Sequence, residues 1–198
     1  MRRIGFRFLL LSIAVLAVLY RTNDLLRNSP LNKIQKISSN PSVLDLRDIR
    51  RIRTLITQGY GSRRLFFIDY SKGYHNGIDI GAQSGVSIYS PVAGEVIAAG
   101  DQDTFCRREN YGKFIVVKDQ KEGAALLFAH LNRMHMNVGD AVSVDQIIAN
   151  VGNTGRTTAP HLHFTVFKNG TFELRNKNGC GSNPEGRDIN PLRYLESL

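Results

Sequence analysis

From Thr54 onward the chain is written in short apolar, β-branched runs separated by glycine or asparagine turns, at residues 65–68, 86–89, 95–99, 114–118, 125–129, 147–151 and 161–167. Runs of four to seven residues are too short for ordinary helices, and their spacing predicts an all-β domain of antiparallel strands forming a sheet or sandwich. Turns are expected at 93–94, 110–112, 138–140 and 152–155, where glycine or asparagine interrupts the apolar pattern. The segment 176–190, rich in Gly, Asn and Pro, reads as a surface loop before a short terminal segment, 191–198. Upstream, Val43, Leu46, Ile49, Ile52 and Ile56 recur at helical spacing, with Asn40 as N-cap and Pro41 at the first helical position. That pattern predicts a short helix over about 42–54. Its exposed arginines (Arg47, Arg50, Arg51 and Arg53) read as a solvated face that could also touch anionic lipid.

The formal charge of +9 would suit a nucleic-acid binder, but its distribution does not. Residues 1–53 hold eleven Lys or Arg against three Asp, whereas residues 54–198 hold fifteen basic and fourteen acidic residues. The folded part is nearly neutral, so no basic groove for phosphates is expected and nucleic acid is not a partner. The basic excess belongs to the N-terminal region. Arg2, Arg3 and Arg7 precede a thirteen-residue apolar run, 8–20, and Arg21 follows it. This is the form of a secretory signal. The run is shorter than the roughly 20 residues that comfortably span a bilayer, and the Val15-Leu16-Ala17 cleavage site is weak. An uncleaved signal anchor is favoured over a cleaved peptide. The organisation expected is a signal peptide or anchor at 1–21 and a polar linker with a short helix at 22–53. A domain at 54–198 follows, with a motif-bearing core at 56–167 and a loop and tail at 168–198. Positive charge at the front would leave the N-terminus in the cytoplasm and send the rest outward, to the periplasm or the outer face of the cytoplasmic membrane. In an exported protein the two cysteines, Cys106 and Cys180, read as one disulfide.

Four of the five histidines fall where chemistry is expected. His75 and Asp79 lie four apart around Gly77, a residue that lets the backbone turn tightly. His130 closes the run Phe128-Ala129-His130, and His161 and His163 are two apart in a predicted strand. Side chains two apart on a strand emerge on one face, so His161 and His163 point together while Leu162 and Phe164 face the core. Catalytic zinc commonly takes three protein ligands from imidazole nitrogen and carboxylate oxygen. His, Asp and His can supply that set and leave two imidazoles for proton transfer. No H-E-x-x-H is present, which excludes a thermolysin-type site with a glutamate base. His135, in a polar stretch outside every motif, reads as a surface residue.

The segments YHNGIDI, FAHL and GNTGRTTAPHLHF resemble, in order and spacing, the motifs of the lysostaphin-like (LytM-type) zinc endopeptidases of peptidoglycan. With ITQGYGSR, SPVAGEV, NYGKFIVV and VGDAVSVDQIIANVG the resemblance covers roughly 56–167. It implies a compact β fold of the duplicated-hybrid-motif type, with its site in a groove between loops. It implies one Zn2+ on His75, Asp79 and His163, flanked by His130 and His161, and peptidoglycan peptides as substrate. Which of His130 and His161 is the general base is not fixed by it. Some relatives of this fold have lost their metal ligands and act instead as cell-wall-binding or amidase-activating modules. Here all three ligand positions and both accessory histidines are present, which favours catalysis.

Overall fold

The computed structural model describes residues 42–63, 70, 72–107, 110–176 and 179–198. The signal or anchor expected at 1–21, the following stretch to residue 41, and the run at 65–68 lie outside the described residues. Among the described residues no helix is long and apolar enough to cross a membrane. The unit Pro41–Leu198 is folded around β-sheets.

It opens with β1 (Val43–Asp45), α1 (Ile49–Leu55) and β2 (Ile56–Gln58). Then come β3 (Ile78–Gly81), β4 (Ser87–Tyr89), β5 (Gly94–Asp101), β6 (Lys113–Asp119) and β7 (Ala125–Ala129). They are followed by β8 (Leu131–Met134), β9 (Ala141–Val142), β10 (Ile147–Val151) and β11 (His161–Phe167). The chain ends with β12 (Glu173–Asn176), β13 (Ser182–Glu185), β14 (Asp188–Ile189) and α2 (Pro191–Leu195). The larger sheet runs β2-β3-β11-β7-β6-β5-β9, with β14 added on β11, and a smaller one runs β1-β4-β10-β8. Among the described residues every strand pairing is antiparallel except β1 with β4.

Period-two alternation divides the large sheet into two faces. Ile78, Ile80, Ile115, Val117, Leu126, Phe128, Leu162, Phe164 and Val166 point to the main core, where they meet Leu44, Ile88 and Ile148 of the smaller sheet. Phe128 and Phe164 pack at a centroid distance of 5.2 Å. Burying each such ring contributes roughly 2–3 kcal/mol. The other face carries Phe114, Val116, Leu127, Ala129 and Phe167, and at its end the histidines of β11. The candidate site therefore lies on the sheet face turned away from the main core.

Three expectations need correction. The helix expected over 42–54 begins only at Ile49, because the Asp48 carboxylate caps it by accepting from the Arg51 N–H at 3.1 Å. Before it, Val43 and Leu44 are buried in a strand along β4 rather than in a helix. Leu44, Leu46 and Ile52 belong to the core, so this stretch is part of the folded unit and not of a linker. The segment 176–190 is not a plain loop: β12 and β13 form a hairpin, and β14 pairs with β11. Cys106 and Cys180 form the expected disulfide, with their Cα atoms 5.0 Å apart, and staple the hairpin turn to the segment after β5.

Candidate metal centre

Asp79 and His163 are direct cross-strand partners in the β3–β11 ladder. On β3 the neighbours Ile78 and Ile80 are buried in the core, so Asp79 faces the other way, onto the face where His163 stands. His75 arrives from the β2–β3 connection. His75 Nε2 lies 3.2 Å from Asp79 Oδ1 and 3.1 Å from His163 Nδ1, and His163 Nδ1 lies 2.8 Å from Asp79 Oδ1. All three residues are buried or nearly so.

The second nitrogen of each imidazole decides what the first can do. His75 Nδ1 donates to the Gly59 carbonyl at 3.1 Å, so its Nε2 presents a lone pair. His163 Nε2 sits 2.9 Å from the hydroxyl of fully buried Thr165, which leaves Nδ1 for the cluster. Three electron-rich atoms thus converge in a desolvated spot, an arrangement that calls for a cation among them. A tetrahedral ion with donors at about 2.0–2.1 Å has donor–donor edges of about 3.3 Å. The observed edges, 2.8–3.2 Å, fit such an ion after a small expansion.

His161 and His130 stand beside the cluster with ring centroids 4.8 Å apart. Each donates Nδ1–H to a backbone carbonyl, His161 to Ala159 and His130 to Thr154, both at 2.8 Å. Each therefore offers Nε2 to the cleft, and His161 Nε2 is 3.5 Å from Asp79 Oδ1. His130 adopts φ +61°, a left-handed conformation rare outside glycine and concentrated at functional sites. Burial, reinforced by the neighbouring His163 and His161, pushes the His130 pKa down to about 3. Burial also lowers His161, but the hydrogen bond and charge of Asp79 outweigh it and the net shift is upward. His163 is lowered by burial against the pull of Asp79. Asp79 itself, though burial opposes it, is held far below the usual carboxylate range by the imidazoles of His161, His163 and His75 around it.

The five histidines sort as the sequence pattern divides them. Four meet around one cleft of about 810 Å³. His135 is exposed, its Nε2 2.7 Å from Asn150 Oδ1. Gly77 is needed for a different reason from the one expected. Its φ is not positive, but a Cβ there would lie 2.5 Å from the Phe164 carbonyl oxygen, 2.6 Å from Thr165 Oγ1 and 2.9 Å from His163 Cε1. The residue permits a close approach, not a turn.

Several partners escaped the sequence pattern. Thr165 continues the His161-x-His163 periodicity by one more step and could have been found that way. Tyr111, half-buried and with its pKa raised by desolvation to about 12, places its ring 5.5 Å from His163 and accepts from Asn76 Nδ2 at 2.9 Å. The β12–β13 hairpin contributes Asn183, Pro184 and Glu185 to the cleft wall.

A buried His–Asp–His donor set with two flanking imidazoles, carried on a β-sheet domain, has the donor chemistry of a three-ligand metal centre. Residues 73–173 match the sequence profile of peptidase family M23, and the chain belongs to that family. It is 32% identical over 111 residues to the peptidoglycan DD-endopeptidase ShyB of Vibrio cholerae serotype O1, covering 56% of this chain and 24% of that one. It is also 32% identical over 108 residues to lysostaphin of Staphylococcus staphylolyticus, covering 54% and 20%. Among solved structures, a zinc containing peptidase from Vibrio cholerae aligns with a TM-score of 0.51 and 26% identity, over 69% of this chain and 35% of that one. The alignments span between a fifth and two fifths of the length of the curated relatives.

Proposed function

We propose that this protein is an exported zinc endopeptidase that hydrolyses peptide cross-links or stem peptides of bacterial peptidoglycan. The observation that carries the reading is the convergence of His75 Nε2, Asp79 Oδ1 and His163 Nδ1, with His130 and His161 presenting Nε2 beside them. The peptidoglycan endopeptidase ShyB among its relatives supports the substrate class. An N-terminal anchor, with residues 22 to about 41 as tether, would hold the domain at the outer face of the cytoplasmic membrane or in the periplasm.

His75, Asp79 and His163 would hold zinc, which when bound would supply a Lewis acid to polarise the scissile carbonyl and lower the pKa of water. The chain's own residues do the rest. His161 and His130 each have Nδ1 committed to a carbonyl, so proton traffic passes through Nε2. One takes the proton of the attacking water, and the other stabilises the developing oxyanion or protonates the leaving amine. The cleft is lined by residues 156–160 and 183–185, and an extended substrate would lie along it. The non-catalytic alternative predicts substitutions at the ligand positions, whereas His75, Asp79 and His163 are all present, with His130 and His161 beside them.

The test incubates the purified, zinc-loaded protein with isolated sacculi and identifies the released muropeptides. His163→Ala should lose both zinc and activity. His161→Ala should keep zinc and lose turnover by about 10²–10⁴-fold. Cleavage by both variants at the rate of the wild type would overturn the mechanism.

A further inference from the structure

Two of the three donor residues sit in the β3–β11 ladder, but His75 is on a connection and needs some other restraint. That connection runs out from β2 through Gly59 and returns to β3 through His75. Its limbs lie side by side, with Gly61 N–H donating to the His75 carbonyl and His75 N–H to the Ser62 carbonyl, both at 2.8 Å. Behind them is a buried carboxylate, Asp188, with its side chain 1% exposed. It accepts from the Tyr60 hydroxyl at 2.8 Å and the Tyr74 hydroxyl at 3.0 Å, and it pairs with the Lys72 ammonium. Lys72 also donates to the Gly186 carbonyl at 2.8 Å.

The placement of these contacts matters more than their number. Tyr60 follows Gly59, whose carbonyl orients the His75 ring, and Tyr74 immediately precedes His75. One carboxylate thus grips the neighbour of each partner in the Gly59–His75 hydrogen bond. Asp188 lies in β14, where it pairs with Phe167 of β11, the strand that carries His161 and His163. The two tyrosine rings meet edge to face at 6.1 Å, which leaves the hydroxyls aimed at the same acceptor. Asp188 also lies beyond the segment 73–173 that the family profile covers.

We propose that Asp188 is a positioning residue of the metal centre, which locks the Gly59–His75 pair onto β11 so that His75 Nε2 meets Asp79 and His163. The proposal rests on the zinc reading given above. Residues that orient a metal ligand typically change metal affinity by about 10–100-fold when removed.

The experiment measures zinc affinity of the full-length chain by competition with a chromophoric chelator, at a temperature where circular dichroism shows each metal-free variant folded. Asp188→Ala should weaken zinc binding by about 10–100-fold. Tyr60→Phe/Tyr74→Phe, which keeps both rings and removes only the hydroxyls, should weaken it in the same direction by less. Asp188→Asn, which keeps an acceptor for the hydroxyls and loses the charge, should fall between wild type and Asp188→Ala. A purely structural residue would lower the melting temperature and leave the zinc affinity of the folded chain unchanged. Affinity within about twofold of wild type in Asp188→Ala, or in the double variant should Asp188→Ala not fold, overturns the proposal. His75→Ala separates the two readings. If it loses zinc while the Asp188 and tyrosine variants do not, only the positioning role fails; if it binds zinc like the wild type, the metal assignment itself is wrong.

Discussion

Replacing Gly77 by alanine sets two effects of opposite sign against each other. Because Gly77 has an ordinary φ, a methyl group strains no dihedral, and the reduced freedom of the unfolded chain should stabilise the fold by about 0.4–1 kcal/mol. Against this, the new Cβ would meet the Phe164 carbonyl oxygen at 2.5 Å, Thr165 Oγ1 at 2.6 Å and His163 Cε1 at 2.9 Å. The carbonyl belongs to the strand that pairs with β3 and cannot swing aside as a long side chain would. Overpacking of this kind costs about 1–3 kcal/mol. The net expectation is a loss of about 1–2 kcal/mol, or roughly 2–8 °C in melting temperature for a domain of this size. Since the clash falls on His163 and Thr165, zinc affinity should drop as well, by about tenfold or more. Thermal unfolding of the chelator-treated chain reads the first effect and zinc competition the second. Gly170→Ala is the control: Gly170 has φ +73° with no atom within 4 Å of its added Cβ, so it should lose about 1–2 kcal/mol and keep its zinc affinity. A Gly77→Ala protein that melts higher than wild type and binds zinc equally well would refute the close-approach argument.

Other consequences can be checked separately. Removing the disulfide with Cys106→Ser/Cys180→Ser frees a 74-residue separation, which loop-closure entropy equates to about 4 kcal/mol; an unchanged urea midpoint under non-reducing conditions would contradict this. Asp188 is held below the usual carboxylate range because, although burial opposes it, hydrogen bonds from Lys72, Tyr60 and Tyr74 favour the charged form. Its contribution is therefore complete above the unfolded-chain value of about 3.9 and is lost as the pH falls through the lower folded value. Below about pH 4 the urea midpoint of the wild type should consequently fall more steeply than that of Asp188→Asn, and parallel curves would count against the linkage. His130→Asn and His130→Ala should both lose turnover, by about 10²–10⁴-fold. Asparagine tolerates the left-handed backbone that alanine resists, so the alanine variant should be less stable by about 1 kcal/mol, and equal stabilities would argue that φ +61° carries no strain.

Much of the sheet could be read in advance because its strands announce themselves twice, by β-branched composition and by strict alternation. The runs 125–129, 147–151 and 161–167 match β7, β10 and β11 to the residue. Alternation also put His161 and His163 on one face and Leu162 and Phe164 on the other. What escaped lacked one of those signals. Over three residues, Val43–Asp45, helical and strand spacing cannot be told apart, and tertiary pairing with β4 decided the outcome. The sequence of β13, Ser-Asn-Pro-Glu, looks like a turn. It becomes a strand in a region where the disulfide and Gln102 tie it down, Gln102 Nε2 donating to the Ser182 carbonyl at 3.0 Å and its Oε1 accepting from Tyr111 N–H at 2.8 Å.

The orientation of the imidazoles escaped for a deeper reason. His75, His130 and His161 are each aligned by a backbone carbonyl, from Gly59, Thr154 and Ala159, and a carbonyl leaves no mark on the sequence because every residue has one. His161 Nδ1 also lies 3.1 Å from the Thr157 hydroxyl, and His163 is aligned by a side chain without a carbonyl, that of Thr165. The difference has a geometric consequence. The three carbonyl-bound rings all offer Nε2 to the cleft, whereas His163, held from the Nε2 side, offers Nδ1. The atom nearest the ring's own backbone thereby joins the cluster, which keeps that donor close to the strand that also carries Asp79's cross-strand partner position. The two donors fixed by ladder geometry are the pair at 2.8 Å, while the donor from the connection stands further off, at 3.1 and 3.2 Å. Adjustment on metal binding should therefore fall mainly on His75, the one ligand of the three that stands on a connection rather than in the strand ladder.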